Sequence, residues 1–351
     1  MKQKIKFEDG KIALQYFDKD CYLYKYDLRS GYHHLDIHDK FKTYLGFCLN
    51  EKYYVFSVLP FGLTSAPYVF TKTLRSLVKY WGKHGIRMVL YSDDGWGTNF
   101  DLSSCSADAS FALYTLNKAG FVVNKEKSVW TPCKYSLWLG LLWNSEDHSI
   151  KVPDERVNDL IDSINSVFSS LPFVSTRSLA KVTGRIISLS PVIGNISRLM
   201  TRNLYRMIEA RQSWDSKFCL SDQDVISELN SWKQHVHSLN RKCLSEYKVP
   251  SVIVYSDASV YACGAFSCQL DNGMFHKMWT DEEKCNSSTW RELKAVQSCL
   301  EESNKQLFGN SLKWYTESKN CEIIIQSGSM KGHLHELAMF IFSMCYKLYQ
   351  H

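Results

Sequence analysis

Apolar and polar positions alternate along "CYLYKYDL" (21–28), which puts Tyr22, Tyr24 and Tyr26 on one face of a predicted strand. "KYYVFSVL" (52–59) is β-branched and aromatic and predicts a second strand, and "RMVLYSDDGWGTNF" (87–100) reads as two short runs around an Asp-Gly turn. Between them, residues 64–85 predict a helix with Thr64 or Ser65 as N-cap and Pro67 in its first turn. Phe70, Leu74, Leu77 and Trp81 form its buried face, and Gly85 ends it. A further helix over 106–120 stops at Gly120 and leads into the strand "FVVN". Strand, helix, hairpin, helix, strand implies an α+β domain, helices packed on one face of a largely antiparallel sheet.

After Pro153 the period becomes helical throughout. Val157, Leu160, Ile161, Ile164, Val167 and Phe168 make one stripe, and helices follow near 177–190, 196–211 and 222–239. "YKVPS" (247–251) predicts the next boundary. Beyond it "VIVYSDAS", "YACGAFSCQL" and "GMFHKMWT" predict strands, followed by a helix from 288, the strand "LKWYTES" and helical segments. The chain therefore divides into a sheet-and-helix region over 1–150, a helical region over 151–248 and a second α/β region over 249–351.

Composition adds two constraints. No apolar run reaches the roughly 18 residues of a membrane span, and no apolar core follows the basic first residues, so an intracellular protein, cytoplasmic or nuclear, is expected. The twelve cysteines are scattered without a two-residue gap, and His33-His34, His235/His237 and His333/His335 lack partners at ligand spacing, so reduced thiols and ordinary histidines are expected. The net charge of +6 is unevenly spread: residues 177–211 hold seven arginines or lysines against Glu209 alone.

Asp27 ends one predicted strand and Asp93-Asp94 follow another. Each motif alone is explained by a strand-end cap or a turn signal. Three carboxylates brought together repel one another and call for protons or a cation. Oxygen ligands without histidine or cysteine favour Mg²⁺, with Mn²⁺ possible, and two such ions are a standard device for phosphoryl transfer.

"YDLRSGYHHLDIH", "FSVLPFGLTSAPYVFTKTL", "VLYSDDG", "GFVVNKEKS" and "LWLGLLW" stand in the order and spacing of the five palm motifs of a reverse transcriptase, over about 120 residues. The set resembles the polymerases of DIRS-like or gypsy-like retrotransposons. The resemblance implies Asp27, Asp93 and Asp94 as catalytic ligands of two metal ions. It implies Leu28, Tyr32, Pro60, Phe61, Gly62 and Lys127 around the incoming deoxynucleotide, with Tyr32 as the gate against a 2′-hydroxyl. It also implies a DNA primer on an RNA or DNA template. An ordinary core tyrosine and a solvated lysine are the plain alternatives for Tyr32 and Lys127.

Arg177, Lys181 and Arg185 recur every four residues, as do Arg198, Arg202 and Arg206, so each triplet falls within about 80° of one helix face. Two basic faces with scarcely an acid beside them fit nucleic-acid phosphates, where isolated lysine or arginine faces are usually just solvated. In the last region, Asp257, Glu292 and Glu317 stand at strand end, helix and strand end, which resembles an incomplete ribonuclease H fold with the same metal logic. Glu317 departs from the expected aspartate, and a fourth acid is expected beyond His351, so weak or absent ribonuclease activity is anticipated. The resemblance also implies fingers ahead of residue 1, as in a piece of a polyprotein. The leading expectation is an RNA-directed DNA polymerase; the rival is an inactive retrotransposon remnant that binds nucleic acid. An unrelated phosphotransferase lacks a phosphate-cradling glycine loop.

Overall fold

The computed structural model describes residues 7–244, 249–271 and 273–349. Two compact units emerge, one over residues 1–153 with 242–244, the other over 154–241 with 245–351. The predicted boundary at 247–248 lies outside the described residues.

The first unit is built on β1 (Tyr22–Asp27), β2 (Gly46–Leu49), β3 (Lys52–Val55), α1 (Ala66–Lys83), β4 (Arg87–Tyr91), β5 (Asp94–Asn99) and α2 (Leu102–Lys118). They are followed by β6 (Val129–Cys133), β7 (Tyr135–Trp138), β8 (Leu141–Asn144) and β9 (Ser149–Lys151). The central sheet runs β4-β5-β1-β6, antiparallel throughout. Tyr24 and Tyr26 face α1 and α2 and bury with Phe70, Leu74, Trp81, Ala112 and Leu116. In the register Tyr26 pairs with Gly95 and Tyr24 with Gly97. A methyl on either glycine would lie 2.1 Å from the Tyr26 ring or 2.3 Å from the Tyr24 ring. The glycines of "DDGWG" are thus strand residues under tyrosine rings, and the expected Asp-Gly turn is corrected. Tyr91 pairs with Asp94, so Ser92 and Asp93 make the turn, Ser92 taking the left-handed conformation at φ +56°.

Trp96 points to the opposite face, where it meets Trp138 at 5.6 Å and Trp143 at 5.1 Å between ring centres. That face is covered, in addition to the predicted helical layer. The small sheet Lys242–Cys243, β9, β8, β7 carries those tryptophans. The predicted strand over 52–59 is shorter: β2 and β3 form a hairpin that exposes Tyr53 and Tyr54. "FVVN" makes only a single bridge, Leu28 to Val123, beside β1.

The second unit opens with α3 (Asp154–Ser169), α4 (Thr176–Ser188), α5 (Ile196–Leu199), α6 (Arg202–Glu209) and α7 (Gln223–Leu239). The helix predicted over 196–211 is broken. Trp232 Nε1 donates to Met200 O at 2.7 Å, and the Glu228 carboxylate accepts from the amides of Asn203 and Leu204, each at 3.1 Å. Side chains of α7 thus replace the helical partners on both sides of the break. Arg198 consequently does not continue the helix of Arg202 and Arg206.

A second sheet follows: β10 (Val252–Ala258), β11 (Ala262–Phe266), β12 (Met274–Met278) and β13 (Leu312–Thr316), in the order β12-β11-β10-β13. Only the β10–β13 pair is parallel. Parallel neighbours need a crossover, and it contains α8 (Ser288–Glu302). After β13 come α9 (Lys319–Ser327) and α10 (Gly332–Tyr349), whose Leu334, Leu337 and Ile341 join Val252, Val254, Leu293 and Leu300 in one core.

Candidate active site

The pairing of β1 with β5 sets Asp27 directly opposite Asp94. The chain is pinned there on both sides, because Leu28 N donates to Asp93 O at 3.1 Å and Asn124 N donates to Asp27 O at 2.8 Å. Asp27 N also donates to Ser128 Oγ at 3.0 Å. Asp94 is partly buried, hydrogen-bonded to Asp27 and close to the charge of Asp93. Burial first, then that bond and those charges, push its carboxyl up to about 7, with Lys127 opposing. Lys127 Nζ stands 3.7 Å from Asp27 Oδ2. Asp93 lies toward Gly31, where a side chain would begin 3.5 Å from Asp93 Oδ2.

Tyr32 sits on a single 3-10 turn, Gly31–His34, that follows Asp27 closely along the chain. Its ring centre is 5.0 Å from Phe61 and 5.2 Å from Phe70. Pro60 is buried, Phe61 is exposed, and Gly62 at φ +88° has open space around it, so this segment meets Tyr32 through Phe61. The Leu28 side chain belongs to the core. Sequence reasoning missed His34, whose Nδ1 is 2.8 Å from Gly31 O and whose Nε2 accepts from Val122 N at 2.9 Å. It missed Ser128 too. The signal available was weak, since a histidine or serine that binds backbone looks like any other.

In the second unit the register Ser256 to Thr316 brings Asp257 and Glu317 to the same ends of parallel strands. Both line an open cavity of about 930 Å³. Glu292 is 8% exposed and accepts from Thr316 Oγ1 at 3.2 Å. Its carboxyl is pushed up by burial and further by the charge of Asp257.

Among the described residues no three His, Cys, Asp or Glu side chains stand as a ready-made metal cage. The Asp27/Asp93/Asp94 group nevertheless suits a hard divalent cation: its donors are all carboxylate oxygens, and Asp94 is protonated more readily than usual through burial first and then the hydrogen bond and negative charges of its neighbours. All twelve cysteines are free thiols. Among the described residues no helix is long and apolar enough to cross a membrane.

The basic stripe resolves into unequal parts. Arg177 makes a two-pronged bond to Asp215, at 2.6 and 2.9 Å, and Arg185 donates to Asp159 O and Ser163 Oγ. Lys181 and Arg198 are exposed. The face of α4 is therefore partly occupied by acids and backbone that lie outside its own sequence window.

Facing carboxylates on a strand pair, a third at the hairpin turn and an aromatic residue five positions after the first are the arrangement that the palm motifs of the sequence imply. Residues 2–142 match the family described as Reverse transcriptase (RNA-dependent DNA polymerase), so this stretch is a reverse transcriptase domain. The chain is similar to retrotransposon Pol polyproteins. It is 24% identical over 305 residues to the Retrovirus-related Pol polyprotein from transposon opus of Drosophila melanogaster, covering 83% of this chain and 29% of that protein. A 70-residue stretch is 34% identical to the Genome polyprotein of Petunia vein clearing virus (isolate Shepherd), 20% of this chain and 3% of the polyprotein. The fold is similar to that of the foamy viral protease-reverse transcriptase in complex with RNA/DNA hybrid, at TM-score 0.56 and 15% identity over 96% of this chain and 44% of that one. A complex of the same foamy viral protein, in its dRH form with ds DNA, matches at TM-score 0.58 and 15% identity over 98% and 58%. The chain thus spans under a third of the opus polyprotein. Reverse transcriptases as a class use divalent metal ions.

Proposed function

We propose that this chain extends a DNA primer with deoxynucleotides on an RNA or DNA template, as part of a DIRS-like or gypsy-like retrotransposon polyprotein. The observation that carries the reading is the pairing of Asp27 with Asp94 at the edge of a buried tyrosine-glycine ladder, with Asp93 in the adjoining turn. When bound, Mg²⁺ supplies charge neutralisation and activation of the primer hydroxyl. The three aspartates are the groups that would hold it. Asp94 must release its proton to do so. Tyr32, braced between Phe61 and Phe70, forms the floor of the nucleotide pocket and excludes a 2′-hydroxyl by bulk. Lys127, mostly exposed beside Asp27, is free to swing toward a triphosphate.

The second unit supports a ribonuclease H-like reading through its 3-2-1-4 strand order and the acids at its strand ends. Glu292 holds Thr316, and Glu317 reaches one methylene further than an aspartate. Weak hybrid cleavage, or none, follows.

The test is primer extension by the purified chain with Mg²⁺. Asp93→Asn should lower the rate at least a hundredfold, since one carboxylate of the group loses its charge. Extension that survives this change would overturn the site. Salt-sensitive duplex binding that ignores Mg²⁺ and gives no extension would favour the inactive nucleic-acid binder instead.

A further inference from the structure

Arg202 and Arg206 occupy successive turns of α6 and reach toward the loop between α9 and α10. Arg202 Nε donates to Ser327 O at 2.5 Å. Arg206 Nη1 donates to Asn203 Oδ1 at 3.1 Å and lies 3.9 Å from where a side chain on Gly332 would begin. Gly332 opens the 18-residue helix α10, so the Arg206 guanidinium stands at the positive end of a long helix dipole, while Arg202 bonds the last carbonyl of α9. The approach is built in. Gly328, at φ +71°, caps α9, and a methyl there would fall 2.8 Å from Arg202 Cγ and 3.0 Å from His335 Nδ1.

His335 is 6% exposed, and its Nδ1, turned toward Arg202 across Gly328, has no hydrogen-bond partner. Burial and the two arginines hold the imidazole below its usual range, and Asp224 alone opposes them. Among the described residues neither arginine meets a carboxylate within ion-pair distance. Two guanidiniums beside a helix N-terminus form a concentration of positive potential that Asp224 opposes without an ion pair, and the neutral His335 imidazole behind them keeps an unpartnered ring nitrogen. Helix N-termini flanked by arginine forks bind phosphate oxygens.

We propose that Arg202, Arg206 and the first turn of α10 form an oxyanion site that seats one backbone phosphate of a bound nucleic-acid duplex. The proposal rests on the reading of the chain as a nucleic-acid polymerase, and it singles out one pair from the basic positions. A phosphodiester is favoured over a free small anion because Arg206 is exposed, so a phosphate that remains part of a long chain can reach it.

The experiment is fluorescence anisotropy of a labelled RNA/DNA hybrid over a range of KCl. Arg206→Gln should weaken binding about five- to tenfold at 100 mM KCl and reduce the salt slope by about one unit. Arg206→Lys, which keeps the charge, should recover most of the affinity, and Lys305→Gln, an exposed charge elsewhere in the unit, should change neither quantity. Equal binding by wild type and Arg206→Gln would overturn the site. The His335 imidazole NMR signal, assigned with His335→Gln, separates the ligands. A shift with hybrid but not with 10 mM inorganic phosphate supports the backbone assignment, a shift with phosphate alone overturns it, and no shift with either overturns the site. Primer extension in the same samples reads the polymerase activity separately: its absence with the Arg206 effect intact would count against that activity alone.

Discussion

Asp94 is the residue on which the proposed chemistry of the first unit turns. Its environment raises the carboxyl to about 7, through burial first and then the hydrogen bond to Asp27 and the charge of Asp93. A raised carboxyl pKa means that a bound proton competes with a metal ion, and the competition ends once the pH exceeds that value. The apparent Mg²⁺ dissociation constant should therefore fall by about tenfold per pH unit between pH 5 and 7 and level off above about 8. Calorimetric titration in buffers of different ionisation enthalpy would also detect close to one proton released per binding event near pH 6. A pH-independent affinity, in the wild type as in Asp94→Asn, would show that Asp94 carries no proton to displace. The residue types at this site were readable from the sequence because aspartate carries its chemistry wherever it stands. The roles of Ser128 and His34 were not, because both act on backbone groups that only the fold brings near.

At the scale of elements, the hairpin that carries the acids is held by tyrosines stacked over glycines. Gly97→Ala would place a methyl 2.3 Å from the Tyr24 ring, in a core where the ring has no room to move. The change should destabilise the first unit by about 3 kcal/mol in urea unfolding. Gly82→Ala in α1, where nothing lies within 4 Å, should instead stabilise it by about 0.5 kcal/mol through helix propensity. Equal effects of the two changes would refute the packing role of the strand glycines. The sequence pattern located α1, with Phe70, Leu74 and Trp81 buried as its period requires. It misplaced the hairpin turn because Asp-Gly is a strong local turn signal, and the tertiary need for glycine under Tyr26 outweighs it.

Across the whole molecule, two units carry two sets of acids, and each unit has its own core. The second unit depends on a buried carboxyl. Glu228 caps α6, and burial pushes it up to about 7 from an ordinary value near 4.5 despite two amide hydrogen bonds. The folded state therefore holds this proton more tightly than the unfolded chain. That contribution is complete below about pH 4.5 and is lost as the pH rises through 7, amounting to about 3 kcal/mol. Glu228→Gln should remove this part of the fall in unfolding free energy between pH 5 and 7.5, measured by urea denaturation at each pH. Identical pH slopes in the two proteins would refute it.

The sequence by itself determined the order of the palm motifs, the strand-end positions of Asp27, Asp257 and Glu317, the helical position of Glu292 and the change from sheet to helix after Pro153. These follow from local period and residue chemistry, which a short window contains. Only the tertiary structure decided that Ser92 and Asp93 make the turn, that the helix over 196–211 breaks, and that Arg177 and Arg185 are engaged while Arg202 and Arg206 converge on α10. The partners responsible are Tyr26, Trp232, Glu228, Asp215, Asp159 and Gly332, all lying many residues away along the chain. A hydrogen bond or a steric contact depends on distance in space, and no local pattern encodes it.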